Sequence, residues 1–471
     1  MSKFQRDLTE GSVTKHLLKF SLPFLASNLL QALYNMADML IVGQFSGPVG
    51  TSAVGVGGQV TILVINLISG LAVGGTVMIA QFIGAKRQED VKETIGTMFS
   101  LYAIAAAVMT VVMLLLNSTI LRVMGMPEES FSEGLAYLNI CMGGTVFVFG
   151  YNAVAAVLRG MGDSRHPLLF VLIAAVANVV LDLILVGPLH MGAAGAAWAT
   201  IAAQALSFIL SIVFLRRRDF VFDFHPRSFR IRGEKAKQLM KIGLPSSLQG
   251  TLVSFSFMWL TSVAAGIAGI VGTTALSIAG KVNSIAILPS MAMQASVSSM
   301  AGQNLGAGKP ERAKKTMLVA MGMAFVVSAL VFAVVNLCTE PILRLFLGSQ
   351  ANSGLSEEVF ARCVSEGAVY LRCISLDYLI TSVMFCINGL AIGAGQTVFS
   401  LFNGMVSSLL LRVPAAGLLG ITVGWGLAGV GLAAPIASVG SLVIGLIYLA
   451  TGRWRRYRIP EAAPAAAAET E

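Results

Sequence analysis

Apolar residues run along this chain in long blocks, separated by short stretches that hold its charges and many of its glycines and prolines. A helix needs about 20 such residues to cross the hydrocarbon of a bilayer. Blocks of that length fall at 18–43, 53–82, 95–117, 132–158, 167–187, 192–215, 239–265, 274–303, 316–338, 360–390, 397–420 and 426–450. The pattern predicts an all-α polytopic membrane protein with twelve transmembrane helices. Pro23 and Pro245 fall where first helical turns are expected, and a missing N–H costs little there. Pro289 and Pro414 are interior and read as kinks, tolerated where neighbours satisfy the freed carbonyls. Gly70, Gly74 and Gly75 permit close helix packing or bending.

The blocks repeat. Residues 19–85 align with 241–307 at a constant offset of 222, without a gap. Lys19, Leu22 and Pro23 meet Lys241, Leu244 and Pro245, and Val49, Gly50 and Thr51 meet Val271, Gly272 and Thr273. Gln81, Gly84 and Ala85 meet Gln303, Gly306 and Ala307. Farther on, Gly160 and Gly162 match Gly393 and Gly395, and Gly192 and Gly195 match Gly426 and Gly429, at offsets of 233 and 234. Six crossings per half is an even number, so both halves enter from the same side. The repeat is parallel, about an axis along the membrane normal, and substrate is expected at the repeat interface. The expected organisation is a six-helix lobe over 1–215, a cytoplasmic linker over 216–238, a second six-helix lobe over 239–455 and a low-complexity, disordered cytoplasmic tail over 456–471.

Composition agrees with a membrane class: 12% of residues are charged, against about 25% in soluble domains. Mean hydropathy is +0.80. The net charge of +9 would admit a nucleic-acid partner, but the position of the bases excludes it. By the alternation of loops, 26 of 32 Lys and Arg lie on one face, before span one, after spans two, four, eight and twelve, and in the linker. Loops 44–52, 188–191 and 266–273 hold none, whereas 391–396, on the basic side, is uncharged. The positive-inside rule places both termini in the cytoplasm and the protein in the plasma (inner) membrane. The basic linker fits that orientation and contact with lipid headgroups. The five cysteines lack metal-ligand spacing and read as apolar filler. The N-terminus is polar and basic and the first apolar run is of span length, so no cleavable signal peptide is expected.

Two carboxylates stand out, because a charge in hydrocarbon is expensive and marks a functional-site candidate. Asp38 lies in span one on a stripe with Asn28, Gln31 and Asn35, spaced by three and four so that they share a helix face, with Tyr34 adjoining. Asp182 lies in span five, one turn from Asn178. At 1.5 Å per residue, Asp38 and Asp182 lie roughly 8 Å below the outer edge, and Thr200 of span six roughly 12 Å. Together they supply oxygen ligands for a hard cation, or a carboxylate pair that holds a proton. The competing structural reading has them only joining helices by hydrogen bonds. The second half does not copy the pair: Leu260 and Ala415 occupy the corresponding positions. It carries Lys281, Asp377 and Arg412 instead. Lys281 and Asp377 suit a buried pair, with a cationic substrate at Asp377 as the other reading. Met258, Met291, Met293 and Met300, with Phe147, Phe149, Tyr151 and Trp259, suit either an adaptable apolar cavity or ordinary core and lipid-facing filler.

The order of motifs resembles the multidrug and toxic compound extrusion (MATE) family over about residues 12–455. The likeness rests on LPFLASNLLQALYNMADMLIVGQFSG in span one, AQFIGAK closing span two, LRGMGDSRHP after span four, NVVLDLILV, GAAGAAWAT and GQNLGAGKPERA. It implies a V-shaped pair of six-helix bundles, rocking alternating access, and export of amphipathic, often cationic compounds in exchange for Na⁺ or H⁺. In the DinF-like branch, the first-lobe cation site maps onto Asp38, Asn178, Asp182 and Thr200, which would be the metal ligands if Na⁺ is used. That branch's polar drug contacts map onto Gln31, Tyr34 and Asn152, and Asn35, Met291 and Asp377 complete the expected substrate-binding set. The NorM branch has acidic residues in spans seven and ten. Span seven here, LVSFSFMWLTSVAAG, has none, Asp377 stands a turn early, and GLAIGAG lacks the usual Arg. The chain therefore resembles the DinF-like and MepA-like side.

A flippase for a lipid-linked oligosaccharide is the alternative. Such relatives gather several cationic groups to meet pyrophosphate, whereas the intramembrane bases read here are few: Lys281, Arg412 and Arg372. An enzyme is not expected, since no HExxH, GxSxG or P-loop pattern occurs. The missing nucleotide-binding segment argues against ATP-driven transport, and no ring of filter residues supports a channel. No cofactor beyond the coupling ion is expected. The expected partners are small amphipathic molecules and membrane lipids, with no nucleic acid, acting on a monomer.

Overall fold

The computed structural model describes residues 5–216, 220–347 and 356–456, and no strand occurs among them. The first half comprises α1 (Val13–Gly84), α2 (Gln88–Val123), α3 (Glu128–Gly143), α4 (Thr145–Gly160), α5 (Arg165–Leu185) and α6 (Gly192–Arg216). The second comprises α7 (Gly233–Ala286), α8 (Leu288–Gly306), α9 (Pro310–Leu337), the short α10 (Thr339–Leu347), α11 (Glu357–Gly393), α12 (Thr397–Thr422) and α13 (Gly426–Ala450).

Counting crossings needs the breaks. A straight helix as long as the 72-residue α1 would run about 108 Å, far beyond a hydrocarbon core of about 30 Å. It is broken at Gly47 (φ 63°, ψ −158°) and holds spans one and two. The run from α7 through α8 is broken at Gly269 (φ 55°, ψ −129°), and holds spans seven and eight. Gly47 and Gly269 are themselves 222 residues apart, so the two halves turn at equivalent glycines. The α3–α4 pair, bent by 47°, makes one crossing. With the remaining long helices the total is twelve.

The prolines are placed partly as expected. Pro23 and Pro245 are not in first turns: the polar stretches before both apolar blocks are already helical, so α1 starts at Val13 and α7 at Gly233. At α1 the Ser12 hydroxyl caps the Lys15 N–H. Pro289 is interior to span eight, as expected: the helical run is interrupted locally at Ile287, two residues before it, and resumes as α8. Pro414 lies between two π-helical stretches of α12, Val406–Arg412 and Leu418–Thr422.

The lobes meet along a seam at the ends of α1, α4, α8 and α11. Gln81 donates to Gly393 O at 2.8 Å, and its repeat partner Gln303 donates to Gly160 O at 3.4 Å. Ser299 Oγ donates to Arg159 O at 2.8 Å. Glycine permits the approach: a Cβ on Gly84 would lie 2.0 Å from Gln303 O, and one on Gly306 2.1 Å from Gln81 O. Farther along, Ser247 Oγ donates to Leu67 O and accepts from Gly70 N, where the backbones of Gly70 and Gly243 touch.

The segment before α1 straps this seam. Arg6 N donates to Met161 O of the first lobe, and Leu8 N to Gln303 Oε1 of the second. Leu8 itself is buried against the second lobe's core. The linker is docked as well. Phe222, Phe224 and Phe229 pack around Phe99 of α2, Thr97 Oγ1 donates to Arg230 O, and Lys235 pairs with Asp90. The tail from residue 457, Lys3, Arg217, Arg218 and Arg458 lie outside the described residues.

Candidate ion-coupling and substrate site

α1, α5 and α6 bring the four first-lobe residues together. Asp38 is buried at 8% exposure, Asp182 at 0% and Asn178 at 2%. The Asp38 and Asp182 carboxyls face each other directly. Asn178 Nδ2 donates to Thr200 Oγ1 at 3.4 Å, which leaves the amide oxygen free. Asp38 Oδ1, both Asp182 oxygens and Asn178 Oδ1 have no hydrogen-bond partner among the described residues. A buried acceptor without a partner is costly, and a cluster of four has the chemistry of a cation or proton receptor. Among the described residues no group of three or more His, Cys, Asp and Glu could hold a metal. A cation here would rest on two carboxylates and neutral oxygens.

A cavity of about 430 Å³ opens beside this cluster inside the first lobe. Gln31, Tyr34, Asn35, Asp38, Asn152 and Thr200 line it, together with Gln204. A second cavity, of about 370 Å³, lies between the lobes just above the seam, with Phe24, Thr76, Arg159, Met291, Gln294 and Ser298 in its wall. Both volumes suit small-molecule sites. Gln31, Tyr151 and Asn152 line both cavities. Tyr151 is fixed by donating to Pro167 O at 3.1 Å, and Asn152 Nδ2 donates to Val148 O at 2.8 Å, leaving its amide oxygen for the cavity.

Other expected residues are placed elsewhere. Asp377 lines neither cavity; it is buried within the second lobe. It does not pair with Lys281, which is exposed and lies 6.0 Å from the Phe346 ring centroid. The charge that faces Asp377 is Arg412 of α12, beyond ion-pair distance. The reason is topological: α12 packs between α7 and α13, which turns Arg412 inward under Phe257, 4.8 Å away. Met293 and Met300 belong to the second lobe's core, and Met258 and Trp259 are exposed, so of the four methionines singled out Met291 alone lines a cavity. Arg159 was expected in a basic cytoplasmic loop. It lies in the last turn of α4 and lines the inter-lobe cavity. Its position at the end of an apolar block hides this in the sequence, where orientation alone explains a base.

Comparison with known proteins bears on this arrangement. The MatE family model matches residues 23–184 and 245–418, two segments that begin 222 residues apart. "Probable multidrug resistance protein YpnP" of Bacillus subtilis is 28% identical over 96% of this chain and 98% of its own length. The solved structure "Crystal structure of MATE in complex with MaL6" superposes with a TM-score of 0.88 at 26% identity, covering 95% of this chain and 98% of that one. "Outward-facing conformation of a multidrug resistance MATE family transporter of the MOP superfamily" gives 0.87 at 26% identity, covering 95% and 98%. The chain belongs to the MatE family and has the twelve-helix fold of its solved members.

Proposed function

We propose that the protein is a secondary active exporter of amphipathic, often cationic small molecules, driven by exchange for Na⁺ or H⁺. The observation that carries this is the cluster of partnerless oxygens on Asp38, Asn178 and Asp182, beside a cavity that shares Gln31, Tyr151 and Asn152 with the inter-lobe cavity. Two facing carboxylates repel when both are charged, so the pair is satisfied by one cation or one proton. Filling it changes the electrostatics of the wall that substrate touches. Coupling follows if ion and substrate stabilise opposite-facing states, since a ligand shifts an equilibrium only by its differential affinity. The relatives named as multidrug resistance proteins support the substrate class.

The basic loops support an orientation for this reading. With both termini cytoplasmic, the seam closes the cytoplasmic end and the state described is outward-facing. The test is reconstitution in liposomes and efflux of a fluorescent lipophilic cation under Na⁺ and pH gradients imposed separately. Efflux driven by one gradient and lost in Asp38→Asn and Asp182→Asn is expected. Efflux under neither gradient would move the reading to a lipid-like substrate.

A further inference from the structure

We infer that Arg159 makes the closed end of the inter-lobe cavity a receptor for an anionic group, a carboxylate or phosphate, carried by an amphipathic ligand. The inference rests on the reading of that cavity as the substrate cavity, and it deepens the substrate class.

Arg159 is the one charged side chain in the wall of this cavity; the others are apolar or neutral polar, among them Ser27, Asn28, Gln31, Gln294 and Ser298. Its guanidinium lies 5.7 Å from the Phe24 ring centroid. Among the described residues its guanidinium makes no ion pair and no hydrogen bond, so its five N–H donors are left for the cavity. The Phe24 face gives it a cation–π contact, and the C-terminal end of α4 gives it a favourable dipole. Both stabilise the charge without using the donors. A planar guanidinium with free donors, beside an apolar wall, matches a carboxylate or phosphate bidentately.

The electrostatics along the path agree. The cavity around Asp38 is acidic and the inter-lobe cavity is basic, and Gln31, Tyr151 and Asn152 form their common wall. A ligand reaching across that wall meets a cation receptor at one end and an anion receptor at the other. The best fit is a zwitterionic amphiphile, with its anionic group at Arg159 and its cationic group toward Asp38.

A matched dye pair tests this. A xanthene dye as its free acid is a zwitterion, and as its ethyl ester a cation, with the same aromatic body. Equilibrium binding of both to purified protein is measured for wild type, Arg159→Gln and Arg159→Lys, with thermal unfolding to verify folding. Arg159→Gln is expected to weaken the free acid by about ten- to hundredfold and the ester by less than about twofold, and Arg159→Lys to recover part of the loss. Equal losses for both dyes, or none, would overturn the inference. Adding phosphatidylglycerol distinguishes the source of the anion. Competition with the free acid in wild type but not in Arg159→Gln assigns the site to a lipid headgroup, and no competition assigns it to a substrate. Binding needs no gradient, so failure of the ester to be exported would count against the exporter reading alone.

Discussion

Gln81 of the first lobe donates its amide N–H to the carbonyl of Gly393 in the second, 2.8 Å away. The repeat returns the favour through Gln303 and Gly160. These reciprocal bonds, buried at the seam, stabilise the state whose strapped end is shut. Each is worth about 1 kcal/mol, and a two-state equilibrium shifts tenfold for about 1.4 kcal/mol. Gln81→Leu with Gln303→Leu should therefore shift the population toward the seam-open state by roughly tenfold or more. Spin labels at the exposed positions Pro48 and Ile270, at the far ends of the lobes, report it as a shorter mean distance. An unchanged distance distribution would count against the seam as the lock.

Glycine at the seam gives a sharper version. A side chain at Gly84 meets the Gln303 carbonyl and cannot be relieved by a rotamer. Gly84→Val should abolish gradient-driven efflux and shorten the same spin-label distance at normal expression. Gly322→Val, on the exposed face of α9 where a Cβ meets nothing within 4 Å, should leave both near wild type.

The breaks at Gly47 and Gly269 require positive φ, with no steric neighbour to complicate a substitution. Gly47→Ala should cost about 1–3 kcal/mol from backbone strain alone. A lowered thermal unfolding midpoint, matched by Gly269→Ala, is the expected result. Gly55→Ala, inside a regular helical stretch, should leave the midpoint nearly unchanged.

Asp163, in the turn between α4 and α5, is nearly inaccessible and accepts from Arg165 N at 2.9 Å and His166 N at 3.4 Å, with the His166 ring on its other oxygen. Burial alone would raise its carboxyl, but the His166 contact and these N–H donors hold it below the usual carboxylate range. The folded value lies under the unfolded one, so its contribution is full above about pH 4 and is lost as pH falls through the folded value. The wild-type unfolding midpoint should drop across that acid range. Asp163→Asn should be less stable at pH 7 by about 1–2 kcal/mol and show a smaller acid drop.

The twelve crossings were legible because a bilayer imposes one length on every apolar block, and the duplication because glycines and a glutamine recur at a fixed offset. The grouping of Asp38, Asn178, Asp182 and Thr200 could be reached from depth, since a carboxylate in an apolar run is anomalous wherever it lies. Residues whose meaning depends on packing were not legible. Arg159 ends an apolar block, and only the approach of α8 makes its surroundings a cavity wall. Asp377 faces Arg412 rather than Lys281 because of how α12 packs, which no periodicity records. The breaks could have been found: Gly47 and Gly269 occupy equivalent positions in the aligned repeat.

The central claim is that Asp38 and Asp182 bind the coupling ion, while Asp377 in the other lobe does not. The most direct measurement follows substrate-driven ion flux, of radioactive sodium and of protons by an entrapped pH dye, in proteoliposomes of wild type, Asp38→Asn, Asp182→Asn and Asp377→Asn. Flux of one ion coupled to substrate movement in wild type and Asp377→Asn, and absent in both first-lobe variants, is the predicted result. Coupled flux retained in Asp38→Asn at matched protein level, or lost in Asp377→Asn alone, would contradict it.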